Sequence, residues 1–190
     1  MLQITMLGDS SLLVPLLIEM LIWIKVLDQR LASRWLFVVA AAMALLVTSK
    51  LSYAATGVGV HVVYFRMISG HTMLSFSVWP VFAFLATRPW AHWTRYASVA
   101  AAYLLCAVIG GTRVFDGAHT LSEVIVGGAL GCSISASFFY LWKTNPQRER
   151  VVPPSFFVLA SFALIFLIYG HEAPTQDWID LMGNWIHRTL

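Results

Sequence analysis

The first apolar run of the chain, SLLVPLLIEMLIWIKVL, extends from Ser11 to Leu27 and contains only two ionisable residues, Glu19 and Lys25. A helix that crosses a bilayer needs about 17–25 predominantly apolar residues. The run is too long for a strand, and it lacks the alternation of apolar and polar residues typical of membrane strands. We therefore interpret it as a membrane-spanning helix.

Further apolar runs follow, separated by short polar segments. They extend over Arg34–Ser49, Ser69–Thr87, Tyr96–Gly110, His119–Trp142 and Val151–Tyr169. Because lipid offers no hydrogen bonds to the backbone, such runs are expected to form helices. The sequence predicts an all-α fold, a polytopic membrane bundle of about six transmembrane helices in a single domain over residues 1–190. The segment from His171 to Leu190 has the spacing of an amphipathic helix that lies on the membrane surface.

The composition supports this interpretation. Of the 190 residues, 59% are hydrophobic and 11% are charged, whereas soluble domains carry about 25% charged residues. The same values exclude a disordered chain, which needs low hydrophobicity and high charge. The net charge of +3 is expected to reflect membrane topology, and no nucleic-acid partner is predicted. Cys106 and Cys132 lie inside apolar runs and form no motif for a disulfide or a metal.

Lysine and arginine are distributed unequally between the two ends of the predicted helices. The loops after the first, third and fifth runs carry eight of them, against four elsewhere. Because positively charged loops remain in the cytoplasm, the loops after the second and fourth runs are expected to face outward. The eight residues are Lys25, Arg30, Arg34, Arg88, Arg95, Lys143, Arg148 and Arg150.

The outward end gathers ionisable and small residues at the helix ends, where charge among apolar helices is costly and therefore indicates function. His119 and Glu123 are four residues apart and share a helix face. A guanidinium fork such as that of Arg113 matches phosphate oxygens. The set predicts a phosphate site in which one histidine attacks phosphorus and the other protonates the leaving oxygen. Its members are Lys50, Ser69, Gly70, His71, Arg113, His119 and Glu123.

Three sequence blocks carry a family resemblance that covers about residues 50–130. The stretch TRVFDGAHTLSE, from Thr112 to Glu123, resembles the third signature of the type 2 phosphatidic acid phosphatase superfamily, Ser-Arg, five residues, His, three residues, Asp. Residues 68–71, Ile-Ser-Gly-His, resemble the second signature, Pro-Ser-Gly-His. Lys50 fits the opening of the first signature, Lys, six residues, Arg-Pro, but its Arg-Pro positions hold Gly57 and Val58.

The resemblance implies a role for each residue. His119 would be the nucleophile that forms a phosphohistidine, Glu123 would orient it, and His71 would protonate the leaving group. Lys50, Ser69, Gly70 and Arg113 would hold the phosphate. The family needs no metal or other cofactor. It acts on lipid phosphates or diphosphates in the bilayer, which implies a multi-pass protein of a bacterial-type inner membrane with the site facing the periplasm or exterior.

The departures from the family pattern leave alternatives open. Glu123 replaces Asp, and the first-signature arginine is missing; we hypothesise that Arg66 supplies the lost cation. The protein is then a lipid phosphatase, a phosphotransferase between lipids, or a degenerate lipid-phosphate-binding protein without activity. Ligation of haem or a metal by the two histidines is a further reading. Oligomeric state and the identity of the lipid are not predicted.

Two features inside the apolar runs are predicted to be structural. Glu19 lies near the middle of the first run, where a hydrogen bond to a neighbouring helix is the expected role and a proton or substrate path the alternative. Gly127 and Gly131 have the spacing of a close helix contact.

Overall fold

A computed structural model describes residues 3–60, 64–144, 154–170, 178–179, 181–182 and 185. Within these ranges the chain contains no strand, and an isolated antiparallel bridge joins Val60 to Phe65. The prediction of an all-α bundle is confirmed. The predicted amphipathic tail at 171–190 lies largely outside the described residues. A 3-10 helix, Gln3–Gly8, precedes helices α1 (Ser10–Leu27), α2 (Gln29–Thr56), α3 (Gly70–Ala86), α4 (His92–Phe115), α5 (Leu121–Thr144) and α6 (Pro154–Ile168).

Each predicted apolar run corresponds to one helix of the described chain. Helices α1, α2, α4 and α5 are long and apolar enough to cross a membrane. Helices α3 and α6 are also apolar but have only 17 and 15 residues. The predicted number of helices is therefore found, while length and composition support four membrane crossings in the part of the chain that the structure describes.

Helix α2 is longer than its predicted run because both of its ends are capped. The carboxylate of Asp28 accepts hydrogen bonds from the backbone N–H groups of Arg30 and Leu31 at 2.8 and 3.0 Å, which satisfies two donors that a helix start leaves open. At the other end, Gly57 has φ +65°, a left-handed conformation that closes helices and that glycine adopts without strain. Lys50 therefore lies inside α2, not at its end.

Helix α4 also differs from the prediction. The pair Gly110-Gly111 does not end it, and the helix continues to Phe115. The missing side chain at Gly110 has a packing role, because a Cβ there would lie 3.1 Å from Val124 and 3.3 Å from Thr72. This helix therefore extends far enough to include Arg113.

Helix α3 packs between α4 and α5 and also contacts α1. The predicted glycine contact is confirmed: a Cβ on Gly127 would lie 2.6 Å from the backbone oxygen of Ser69, and one on Gly131 would collide with the backbone of Met73. The glycines allow α5 to approach α3 closely, as small residues do in membrane bundles. This contact brings the start of α3 against the start of α5.

Helix α6 is attached to α1 by one polar and one aromatic contact. The hydroxyl of Ser161 donates a hydrogen bond to Glu19 Oε2 at 2.6 Å, which confirms the predicted structural bond of Glu19. Trp23 and Phe157 stack with their ring centroids 5.0 Å apart.

Candidate active site

Residues from four helices converge at one end of the bundle. The backbone N–H of Ser69, before α3, donates to the carbonyl of Glu123 in α5 at 3.3 Å. Lys50 in α2 lies beside Gly70, since a Cβ on that glycine would be 3.9 Å from Lys50 Cε. The positive charges of Arg113 and Lys50 act on His119. The structure thus brings together the three blocks that the sequence singled out.

His119 is held by the carboxylate of Glu123. Its Nδ1 lies 2.7 Å from Glu123 Oε2, and the Glu123 side chain is completely buried. Burial lowers the pKa of His119 below its ordinary value and outweighs the hydrogen bond and negative charge of Glu123, which raise it; Arg113 and Lys50 lower it as well. The neutral imidazole is therefore the favoured form.

The turn between α4 and α5 fixes His119 relative to Arg113. The backbone N–H groups of Ala118 and His119 both donate to the carbonyl of Arg113, each at 3.1 Å. Gly117 in this turn has φ +68°, a conformation that glycine adopts readily. The five residues between the arginine and the histidine thus form a compact turn, which places both side chains at the end of α4.

The second block forms the start of α3. Ser69 is the N-cap residue, is fully buried, and shares a 2.9 Å hydrogen bond with the Thr72 hydroxyl. The first backbone N–H groups of a helix have no partner within the helix and favour an anion. Gly70 opens the helix beside Lys50. This end of α3 can therefore receive phosphate oxygens.

His71 contacts Asp9, an acid that was not predicted as a site residue. Its Nε2 lies 3.4 Å from Oδ2 of Asp9, the N-cap residue of α1. Burial alone would raise the pKa of the Asp9 carboxyl, but hydrogen bonds from His71 and Ser11 outweigh it and hold the pKa below its ordinary value. The only signal for Asp9 in the sequence is that of a helix cap before the first apolar run.

The N-terminal 3-10 helix packs against the same end of the bundle. The hydroxyl of Thr5 donates to that of Thr112 at 3.0 Å in a buried contact. A Cβ on Gly8 would lie 2.6 Å from Ile109 and 3.4 Å from the His71 ring. The segment before α1 thus covers part of the site and positions Asp9.

Arg66 is placed against Glu123. Its backbone N–H and its Nε donate to Glu123 Oε1 at 3.0 and 3.2 Å, and 44% of its side chain is exposed. The positions of the missing Arg-Pro hold Gly57, which closes α2, and Val58, which is 73% exposed; neither supplies a cation. The phosphate-binding role suggested for Arg66 stays a prediction.

A cleft of about 320 Å³ lies beside Arg66 and Thr120. It is formed by the last turns of α2 and the segment that follows. Aromatic and small residues make up most of its wall, so it can accept a partly apolar group beside Arg66 and Thr120. It is lined by Tyr53, Gly57, Gly59, Val60, Tyr64, Phe65, Arg66 and Thr120.

Comparison with known proteins identifies the family. The model of the PAP2 superfamily matches residues 13–148. The chain belongs to the PAP2 superfamily. Members of this superfamily are phosphatases, which supports phosphoester hydrolysis as the class of reaction. The matched range contains all three sequence blocks.

A curated relative matches almost the whole PAP2 chain. It is described as an uncharacterized 22.5 kDa protein in the cps region of Klebsiella pneumoniae, and it is 34% identical over 185 residues, which cover 95% of this chain and 88% of the relative. No solved structure matches the chain.

Proposed function

We propose that this PAP2 protein is an integral membrane lipid phosphatase that hydrolyses a lipid phosphate or diphosphate through a phosphohistidine on His119. The observation that carries the proposal is the 2.7 Å contact between His119 Nδ1 and the buried carboxylate of Glu123, beside the cations Lys50 and Arg113. A histidine oriented by a carboxylate and surrounded by phosphate-binding groups is the arrangement that nucleophilic attack on phosphorus requires.

The hydrogen bonds of Glu123 support Nε2 of His119 as the attacking nitrogen. Glu123 accepts from the backbone N–H groups of Arg66 and Thr120 at 3.0 and 3.1 Å, and an ionised carboxylate can only accept. Nδ1 of His119 therefore carries its proton toward Glu123. The lone pair of the neutral ring is on Nε2, which makes Nε2 the nucleophile.

The first chemical step then follows. Nε2 of His119 forms a bond to phosphorus while the bond between phosphorus and the leaving oxygen breaks. His71 gives a proton to that oxygen, so that the lipid leaves as an alcohol or as a lipid monophosphate. Lys50, Arg113 and the start of α3 at Ser69 and Gly70 stabilise the charge on the other phosphate oxygens.

Water completes the reaction. It attacks the phosphohistidine, the bond between phosphorus and Nε2 breaks, and inorganic phosphate leaves. The attacking water gives its proton to His71, which lost one in the first step. Both histidines return to their starting states, and no redox partner or cofactor enters the balance.

The membrane bundle and the charge distribution support the lipid class and the side of the membrane. The site lies at one end of a bundle with four helices long and apolar enough to cross a membrane, where a headgroup anchored in the bilayer can reach it. The excess of lysine and arginine in the loops at the other end favours a cytoplasmic location for that end. We therefore propose that the reaction takes place at the outer face of a bacterial-type inner membrane.

A substrate panel tests the proposal. Purified protein in detergent with excess chelator is incubated with lipid phosphates and diphosphates, and released phosphate is measured for the wild type, His119→Ala and His92→Ala. His92 is exposed at the start of α4 and serves as the matched histidine control. The proposal requires release by the wild type and by His92→Ala, and none by His119→Ala.

The other outcomes have defined meanings. Transfer of phosphate to a second lipid without release identifies a phosphotransferase. Turnover of no lipid phosphate by the wild type contradicts the proposal and favours a protein that only binds lipid phosphate, as the loss of the first-signature arginine would suggest.

A further inference from the structure

We propose that Arg66 is a positioning residue that acts through Glu123, holding this carboxylate ionised and directed at His119, and that it does not bind the phosphate. The chemical part of this inference rests on the proposed function. The geometric part rests on contacts that the structure shows between Arg66, Glu123 and His119. Arg66, which the sequence suggested as a substitute phosphate ligand, thus has a different role.

The two carboxylate oxygens of Glu123 accept hydrogen bonds from different residues. Oε1 accepts both hydrogen bonds from Arg66, the backbone N–H at 3.0 Å and Nε at 3.2 Å. Oε2 accepts from Thr120 and from His119 Nδ1, at 3.1 and 2.7 Å. Each oxygen is thus directed by two donors, and rotation of the carboxylate would break all four bonds.

Burial makes these partners necessary. The side chain of Glu123 is 0% exposed, and a buried carboxylate is costly unless charge and hydrogen bonds compensate it. In the contacts that the structure gives Glu123, Arg66 is the cation that is fixed at every pH, since His119 favours its neutral form. Arg66 therefore keeps Glu123 an acceptor for the Nδ1 proton.

The segment that carries Arg66 is held by hydrogen bonds to α2 and to the residue just before α5. Val60 and Phe65 exchange backbone hydrogen bonds at 2.8 and 3.2 Å. The backbone N–H of Ile68 donates to the Ser49 hydroxyl in α2 at 3.1 Å, and the Thr120 hydroxyl donates to the carbonyl of Tyr64 at 2.9 Å. These bonds fix the backbone on both sides of Arg66, which is why its main-chain and side-chain donors reach the same oxygen.

The longer acid at position 123 fits this arrangement. The family signature has Asp where this chain has Glu123, and the additional methylene extends the carboxylate by about 1.5 Å. That extension lets one carboxylate reach His119 with Oε2 and Arg66 with Oε1. The departure at position 123 and the arginine at position 66 are therefore linked.

Arg66→Gln tests the proposal, with Arg34→Gln as the control. Arg34 is exposed near the start of α2, at the opposite end from the site. In Arg66→Gln we expect kcat to fall about 10- to 100-fold, as when outer-shell partners of ligands are removed at metal sites, with KM changed less than about twofold. A phosphate ligand would instead raise KM strongly, and that result would overturn the proposal.

The titration of His119 gives a second readout that needs no turnover. Glu123, Arg113 and Lys50 act on His119, and removal of the Arg66 cation leaves the negative charge of Glu123 less compensated. The pKa of His119 should therefore rise in Arg66→Gln, measured by NMR of 13C-labelled histidine with His119→Ala for assignment. An unchanged His119 titration overturns the proposal even in an active protein. A rise supports it even if no lipid phosphate is turned over, so its failure is distinguishable from that of the proposed function.

Discussion

Oδ2 of Asp9 lies 3.4 Å from Nε2 of His71, although the two residues are far apart in the sequence. The hydrogen bonds to Asp9 hold its pKa below the ordinary value, so that it is a carboxylate near neutral pH. Because a carboxylate only accepts, Nε2 of His71 carries a proton toward Asp9. In the proposed mechanism, the proton that His71 delivers to the leaving oxygen is then the one on Nδ1.

Asp9→Asn is expected to impair protonation of the leaving group. The amide retains the shape of Asp9 but removes the negative charge 3.4 Å from Nε2 of His71. With a lipid phosphate, whose leaving alkoxide is a strong base, kcat should fall at least tenfold. With p-nitrophenyl phosphate, whose leaving group needs no proton, kcat should change less than about twofold. Equal losses on both substrates would refute this role.

Asp28→Asn is the matched control for Asp9→Asn. Asp28 caps α2 as Asp9 caps α1, but it lies at the other end of the bundle. Because asparagine caps a helix about as well as aspartate does, both variants should keep nearly the stability of the wild type. Only the Asp9 variant should discriminate between the two substrates.

The pH profile should follow His119. Burial lowers the pKa of His119, and the mechanism requires the neutral ring. Activity should therefore persist below about pH 6.5, the ordinary pKa of histidine, and fall only at a lower pH where His119 becomes protonated. The contribution of His119 to the free energy of unfolding should also decrease at low pH. It is complete above about pH 6.5 and is lost as the pH falls through the lowered pKa of His119.

In a plot of kcat/KM against pH, the fall in activity on the acid side should move to higher pH in Lys50→Met. The substitution removes a positive charge that lowers the pKa of His119. A fall at the same pH in both proteins would show that another group controls it.

Gly127→Ala should separate the starts of α3 and α5. The added Cβ would lie 2.6 Å from the Ser69 backbone oxygen, and Ser69 in turn donates to the carbonyl of Glu123. We expect a loss of about 1–3 kcal/mol of stability, typical of overpacking, together with a large fall in kcat. Gly111→Ala is the control, because outside its own turn of α4 no atom of the described residues lies within 4 Å of its Cβ position; alanine should stabilise α4 by up to about 1 kcal/mol. Unaltered stability and turnover in Gly127→Ala would contradict the packing argument.

The helices and the two histidine blocks could be predicted from the sequence because their signals are local. Apolar runs of this length form helices in lipid. Arg113, His119 and Glu123 lie close together in the sequence, at the end of α4, in the turn that follows and in the first turn of α5. The predicted fourth run ends at Gly110, which is wrong, because α4 continues to Phe115 and Gly110 makes room for Val124 and Thr72. A sequence does not show which side chains pack against the position where a glycine lacks a Cβ.

The partners of the site residues could not be predicted from spacing. The contact between Asp9 and His71 depends on how the 3-10 helix packs against α4, and no periodicity reports that packing. The side-chain direction of Arg66 depends on a bridge and two hydrogen bonds in an irregular segment. In both cases long-range tertiary contacts, not local propensity, determine the pair.

The proposed mechanism requires covalent phosphorylation of His119. The direct measurement is a rapid-quench experiment with a lipid phosphate labelled with 32P at the cleaved group, stopped in alkali, in which phosphohistidine survives, and followed by peptide mapping. We expect label on the peptide that contains His119 in the wild type, loss of that label in acid, and no label in His119→Ala. Phosphate release by the wild type with no label on His119, or labelling that persists in His119→Ala, would contradict it.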